Sequence, residues 1–385
     1  MGKLDFIYKD LKKREANHLL RSLKRVTPLS GVEIEIDGRR MLNFCSNDYL
    51  GLSNHPLLKK RSKEFIDKYG AGSTASRLVC GNYDCFEKVE DKISDLTGKE
   101  GALIFNSGFQ ANVTLLPALT DNDSLILSDV LNHNSIIQGC LLSRCSVKTY
   151  EHNNLDNLEQ ILKEESGIYP RILIVTESIF SMDGDISDID RLIYLAEKYG
   201  ALLILDEAHA VGVAGEKGMG LASCTNVDIV MGTFSKAAGS FGAYVASSNK
   251  IRDYLINYCN GLIYTTALPP SVIGSIDGAL DLIPEMEQER NRLMNDSHFL
   301  RERLSNLGYD TGKSATQIIP VIIGSEEDGV RLSQWLEDNN VLATIFRPPT
   351  VPEGESRIRL ALTSSHTQEH MDKLIDLLKI WRKRN

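Results

Sequence analysis

Apolar residues fall in short blocks through the middle of the chain. Residues 172 to 176, Ile-Leu-Ile-Val-Thr, form a continuous apolar run, which predicts a strand buried on both faces. Ser187 then caps a predicted helix running to about Tyr199. Its apolar positions Ile189, Leu192, Ile193 and Ala196 share one face, and Gly200 stops it. Ala201 to Leu205 predicts the next strand, ending at Asp206. Another starts at Asp228 and ends just before Lys236, and Gly242 to Ala246 predicts one more. Upstream, Asn82 opens a helix with Phe86, Val89, Ile93 and Leu96 on one face, and Gly98 closes it. Ala102 to Phe105 and Leu125 to Leu127 predict strands. This β–α–β rhythm predicts an α/β fold, a largely parallel sheet with helices on both faces.

The pattern changes toward the ends. From about residue 271, a long helix marked by Leu293, Phe299, Leu300 and Leu304 ends near Gly308. Ile318 to Ile323 predicts a strand, Val330 to Leu336 a helix, and Arg357 to Leu362 an alternating strand. Met371, Leu374, Ile375, Leu378 and Trp381 line a last amphipathic helix. The expected organisation is therefore an arm over 1–45, with a helix and short strands around Ile34 and Ile36. A large α/β domain over 46–270 and an α+β domain over 271–385 follow.

Composition narrows the functional classes. The 385 residues carry 43 Lys plus Arg against 52 Asp plus Glu, a net charge of −9, so the chain has no general attraction for nucleic acid. No run of about 18 apolar residues predicts a membrane span. Met1 to Asp10 lacks the apolar core of a signal peptide, and Phe6 breaks a myristoylation pattern begun by Gly2. Seven cysteines without a C-x-x-C pair point to reduced thiols in the cytoplasm, and the histidine spacing points to no metal site.

Against that background one lysine stands out. Lys236 ends Asp228-Ile-Val-Met-Gly-Thr-Phe-Ser-Lys236, where an apolar run meets small and hydroxylated residues. Lysine does chemistry as a neutral amine or through an imine to a carbonyl cofactor. Thr233, Ser235 and the neighbouring glycines can hold a phosphate. Thirty residues earlier, Asp206-Glu-Ala-His209 places a carboxylate at a strand end, where open α/β sheets put ligand groups. Lysine, phosphate cradle and aspartate together suit pyridoxal phosphate, whose ring nitrogen needs an anionic partner. His209 can bond the cofactor's phenolic oxygen. In Ser107-Gly-Phe-Gln-Ala-Asn112, Gly108 lies at a helix N-terminus suited to a phosphate, and Phe109 can pack beside the ring. His133, in a loop after Asp129, can stack on a flat ring, or simply be solvated. Arg357 and Arg359 share one face of their strand if Ile358 and Leu360 face a core. A carboxylate clamp or a plain surface arginine both fit that spacing. Gly70-Ala-Gly72-Ser-Thr-Ala75 is no dinucleotide fingerprint, because a predicted helix precedes it.

Taken together these motifs resemble the α-oxoamine synthase family of fold type I pyridoxal-phosphate enzymes. The pieces are Asn47-Asp-Tyr-Leu-Gly-Leu52, Gly108-Phe109, Ser181-Met-Asp-Gly184, Asp206-Glu-Ala-His209, Gly232-Thr-Phe-Ser-Lys236, Tyr264-Thr-Thr-Ala-Leu-Pro-Pro270 and Arg357-Ile-Arg359. The resemblance implies a large, mainly parallel seven-stranded sheet domain and a smaller C-terminal α+β domain. It implies that Lys236 carries the cofactor and then acts as base at Cα. Asp206 would pair with the pyridine nitrogen, His209 with the phenolic oxygen, and His133 would stack on the ring. Gly108, Phe109, Ser181 and Thr233 would surround ring and phosphate. Thr266 would reach the phosphate from the partner subunit of a homodimer. Arg359 would grip the amino-acid carboxylate, and Arg21 and Thr350 would line the acyl side. The Arg347-Pro-Pro-Thr350 stretch is most similar to the branch that condenses L-alanine with a pimeloyl thioester, on coenzyme A or an acyl carrier protein, for biotin synthesis. Sister condensing enzymes using glycine, and aminotransferases of the same fold, are the alternatives. One departure is Gly72-Ser-Thr-Ala-Ser76, where the family has a glycine-rich run.

Overall fold

The computed structural model describes residues 2–17 and 19–384. It divides into two compact units. The larger comprises Asp48–Ser181 and Asp185–Arg292, and the smaller Met1–Asn47, Met182–Gly184 and Leu293–Asn385.

Seven strands form the sheet of the larger unit: β1 (Gly101–Phe105), β2 (Ser124–Asp129), β3 (Ser146–Tyr150), β4 (Arg171–Glu177), β5 (Leu202–Asp206), β6 (Ile229–Thr233) and β7 (Ala243–Ser247). Their order is β1-β7-β6-β5-β4-β2-β3. All neighbours are parallel except β7, which runs antiparallel to both β1 and β6. The core strands are wholly buried, as their unbroken apolar runs require. Leu103, Ile126, Leu173, Ile204 and Ile229 of the sheet share a core cluster with Ala111, Leu115 and Leu116 of the helix Gly108–Leu119. Registry sets the C-terminal ends of β4, β5 and β6 side by side, with Glu177 opposite Asp206 and Asp206 opposite Met231.

Two local expectations are corrected, and one strand was missed. The helix Ile189–Tyr199 is capped by Asp188, whose side chain accepts from Arg191 N, and Ser187 is not its cap. The Ser187 hydroxyl instead donates to the Glu177 carbonyl at 2.8 Å. The helix expected from Asn82 starts at Asp84. The edge strand β3, Ser-Val-Lys-Thr-Tyr, escaped the sequence reading because only Tyr150 in it is fully buried.

The unit boundary also differs from the expected one. The helix Pro270–Leu282 belongs to the larger unit. A Cβ on its Gly274 would lie 2.5 Å from the Arg61 carbonyl, so only glycine allows that approach to the helix Pro56–Tyr69.

In the smaller unit, the N-terminal strands Glu33–Ile36 and Arg39–Asn43 pair with each other, and the latter pairs in parallel with Val341–Leu342. The chain's first segment therefore shares a unit with its last. Ser356–Ala361 is the middle strand of a three-stranded antiparallel sheet. Every residue of it is buried, Arg357 and Arg359 included, so neither of its faces is a solvent face. No helix among the described residues is long and apolar enough to cross a membrane.

Candidate active site

A cavity of about 220 Å³ opens at the C-terminal ends of β4, β5 and β6. Eight of the residues singled out by sequence line it: Gly108, Phe109, His133, Asp206, His209, Thr233, Ser235 and Lys236. Strand ends are natural sites of this kind, because the chain there leaves the sheet and its side chains gain freedom to face a ligand.

Lys236 follows β6 and is half-buried, with Nζ 3.5 Å from Thr233 Oγ1. Gly108 begins the helix Gly108–Leu119, and Ser107 caps it by accepting from Gln110 N. A Cβ on Gly108 would lie 2.6 Å from Thr233 Cγ2. The missing side chain thus lets a positive helix end approach the strand end that carries the lysine.

Asp206 is 5% exposed and held from two sides. Its Oδ1 accepts from Ala208 N at 2.8 Å, and its Oδ2 from Asn112 Nδ2 at 2.8 Å. Asn112 also donates to Ser135 Oγ at 3.0 Å. Ser135 Oγ lies 2.7 Å from His133 Nδ1, which also accepts from Ser135 N. A chain of hydrogen bonds therefore joins the carboxylate to the imidazole. Accepting that N–H requires a bare Nδ1 and places the ring proton on Nε2. Burial pushes the His133 pKa down and the Lys236 charge adds to this, against the opposing pull of Asp206. His133 is exposed on its cavity side, but it is the cap of the helix Asn134–Leu142 and not a freely solvated loop histidine.

His209 is buried, and its Nδ1 lies 2.7 Å from the Tyr49 hydroxyl. Tyr49 is itself 0% exposed, so the ring is fixed by a group with no other freedom. Glu177 enters the cavity wall beside Asp206. It accepts the N–H of His133 at 2.7 Å and the N–H of Ser181. Its pKa is raised well above the usual carboxyl range, first by burial and then by the Asp206 charge.

The other expected residues lie elsewhere. Ser181 is buried but not among the lining residues, and it meets the site through Glu177. Thr266 is exposed, and its carbonyl accepts from Asn106 Nδ2. Arg21, Thr350 and Arg359 belong to the smaller unit. There Arg21 Nη2 donates to Thr350 Oγ1 at 3.3 Å, within a cavity of about 610 Å³ also lined by Leu20, Phe346 and Arg347. Arg359 Nη1 donates to Asn47 Oδ1 at 3.1 Å, and Arg357 pairs instead with Asp183 and Glu355.

Four functional candidates escaped the sequence reading: Asn112, Ser135, Glu177 and Tyr49. Asn112 and Tyr49 sit inside motifs already singled out, so their signal was a polar group within each motif. Ser135 and Glu177 gave none, because Ser135 meets Asn112 across 23 residues and Glu177 meets His133 across 44.

The model of the family described as aminotransferase class I and II matches residues 39–378. The chain belongs to that family, to its fold type I pyridoxal-phosphate enzymes and, among them, to the α-oxoamine synthases. A relative in Desulfosudis oleivorans, named a putative 8-amino-7-oxononanoate synthase, is 55% identical over 384 residues and 100% of both chains. A solved lysine-to-alanine variant of the serine palmitoyltransferase of S. paucimobilis, with a bound PLP–myriocin aldimine, superimposes with a TM-score of 0.92 at 25% identity, covering 99% of this chain and 98% of that one. An 8-amino-7-oxononanoate synthase of Francisella tularensis does so with a TM-score of 0.78 at 28% identity, over 89% and 98%.

Pyridoxal phosphate is the cofactor of this family, and the cavity fits it. The lining brings together the Lys236 amine, the Asp206 carboxylate held by two donors, and a helix N-terminus, the set that an aldehyde, a ring nitrogen and a phosphate require.

Proposed function

We propose that this chain condenses L-alanine with a pimeloyl thioester to give 8-amino-7-oxononanoate, CO2 and the free thiol carrier, a step of biotin synthesis. The observation that carries the reading is the meeting of Lys236, Asp206, His209 and His133 in one cavity. A relative 55% identical over the whole chain and bearing that enzyme's name supports the choice of substrates.

Bound pyridoxal phosphate supplies an electron sink for the pair left at the amino acid's Cα. Lys236 is the residue that would hold it, and its neutral amine then takes the Cα proton and returns one after loss of CO2. Asp206, oriented by Asn112 and Ala208, would present its carboxylate to the ring nitrogen. His209, fixed through Tyr49, would address the phenolic oxygen, and His133 would cover the ring. Thr233 and the helix end at Gly108 would take the phosphate. Arg359, whose guanidinium is oriented by Asn47, clamps the amino-acid carboxylate. Arg21 and Thr350 serve the acyl substrate, and their direct hydrogen bond supports a shared task.

The working unit in this reading is a homodimer in which Thr266 serves the partner's phosphate site. Exposed apolar side chains at Leu78, Val79, Phe109 and Tyr264 support a covered face. The close superposition on a serine palmitoyltransferase favours one competing reading, a sister enzyme with another amino acid or acyl group.

An activity panel decides. Alanine, glycine and serine are each paired with acetyl, pimeloyl and palmitoyl thioesters, with CO2 release measured from carboxyl-labelled amino acid. Alanine with the pimeloyl thioester is expected to be the preferred pair. Preference for another pair would replace the substrate assignment, and turnover without CO2 release would point to an aminotransferase.

A further inference from the structure

One histidine outside the cavity sits where its chemistry is constrained. His152 follows β3. Its Nδ1 lies 3.0 Å from Asp129 Oδ1 and its Nε2 lies 2.9 Å from Asp185 Oδ2. Both aspartates are nearly buried, at 1% and 5% exposed. A neutral imidazole carries one N–H and one lone pair, so between two carboxylates it would aim a lone pair at an acceptor. Only the imidazolium can donate to both.

We propose that His152 is held as a cation between Asp129 and Asp185, and that it is a positioning residue locking together the two loops that carry His133 and Ser181.

The covalent path from each aspartate to the site is short. Asp129 ends β2, and its Oδ1 also accepts from Leu131 N at 2.8 Å, shaping the turn that delivers His133. The Asp185 carbonyl accepts from Phe180 N at 3.1 Å, closing the loop next to Ser181. Asn153 adds a bond to each side, from its N–H to Asp129 Oδ2 and from Nδ2 to Asp185 Oδ2. Two buried carboxylates this close repel unless a cation lies between them, so neutralising His152 would push the loops apart.

The other groups around the imidazole agree. Phe180 meets it edge-on at 4.4 Å. The phenol of Tyr150 is raised in pKa by burial and by the Asp129 charge, so it adds no competing anion. Burial alone would lower the His152 pKa, but the hydrogen bonds and charges of the two aspartates overcome it and carry it to about 10. The clamp should therefore stay charged well above neutral pH.

The functional part rests on the cavity being the cofactor site, and the test separates the two. Holoenzyme is labelled with 13C and 15N histidine, and the His152 signals are assigned by their loss in His152→Gln. They are expected to show both nitrogens protonated at pH 8.5, whereas an unperturbed histidine, with a pKa of about 6.5, is neutral there. His152→Gln should weaken pyridoxal phosphate binding, measured by absorbance titration of apoenzyme, by about tenfold, the worth of one charge-assisted hydrogen bond. Adding Asp185→Asn to it should recover part of that loss, because one of the two opposed charges is gone. A neutral His152 at pH 8.5 overturns the proposal. So does His152→Gln with a lower melting temperature but unchanged cofactor affinity, the result of a purely structural role. If His152→Gln does not fold, Asp185→Asn alone is used. It should lower the imidazole pKa and weaken the cofactor, and no change in either would also overturn the proposal. Absence of cofactor binding in the wild type would sink the cavity assignment and leave the protonation result standing.

Discussion

Asn112 Nδ2 lies 2.8 Å from Asp206 Oδ2, and the same nitrogen donates to Ser135, which bonds the His133 ring. One amide thus orients both the Asp206 carboxylate and, through Ser135, the His133 imidazole. Its helix, Gly108–Leu119, also brings its N-terminus to the cavity.

Replacing Asn112 by Leu removes the donor and keeps the volume. Asp206 then loses a hydrogen bond to a charged group, worth about 1.5–3 kcal/mol. Apoenzyme should bind pyridoxal phosphate some tenfold or more weakly, read by absorbance titration. Asn112→Asp should be worse, since it sets a second carboxylate against Asp206. Equal affinity in both variants would show that Asp206 is oriented by Ala208 N alone.

Burial and the Asp206 charge favour the protonated form of Glu177. Its pKa is raised by burial and by Asp206, so its contribution to stability is fully present below the unfolded carboxyl value and is lost as pH rises through the raised one. Glu177→Gln copies the protonated form. It should bind cofactor as the wild type does and lose less melting temperature between pH 5 and pH 9. Glu177→Ala, which drops the acceptors of the His133 and Ser181 N–H groups, should weaken cofactor binding. A Gln variant as damaged as the Ala variant would mean that Glu177 works ionised.

In the smaller unit, His366 gives the opposite pH signature. Burial, helped by the His370 charge, lowers its pKa to about 4. Its contribution is present above the unfolded value near 6.5 and is lost as pH falls through about 4, up to about 3 kcal/mol. Chemical denaturation at pH 7.5 and pH 4.5 should show this loss in the wild type. His366→Asn should be less stable at pH 7.5 but show a smaller drop between the two. An unchanged drop would place the acid sensitivity elsewhere.

Thr74 occupies the place where the family's loop has glycine, and its φ is +58°. Ala75 N donates to Ser73 O across it at 2.7 Å, a tight three-residue turn. A β-branched residue in this region is strained by about 1–2 kcal/mol, and that exceeds the entropy gained by avoiding glycine. Thr74→Gly should therefore raise the melting temperature slightly, measured by calorimetry. A lower one would show that the Thr74 side chain makes a compensating contact.

Some of this was legible in the sequence and some was not. The parallel strands followed from unbroken apolar runs such as Ile172 to Val175, because burial on both faces leaves no polar position. Lys236, Asp206 and Gly108 were legible because strand ends and helix starts are local features. The sequence by itself determined the strand–helix rhythm and the place of Lys236 and Asp206 at strand ends and of Gly108 at a helix start. Tertiary structure alone decided that β4 and β5 set Glu177 beside Asp206, and that Asn112 and Ser135 meet between His133 and that carboxylate. It alone decided that Tyr49 reaches His209 across 160 residues, and that Asp129 and Asp185 close on His152. The reason is physical: a buried polar group must find its partner in space, and sequence spacing carries no record of which distant chain segment supplies it.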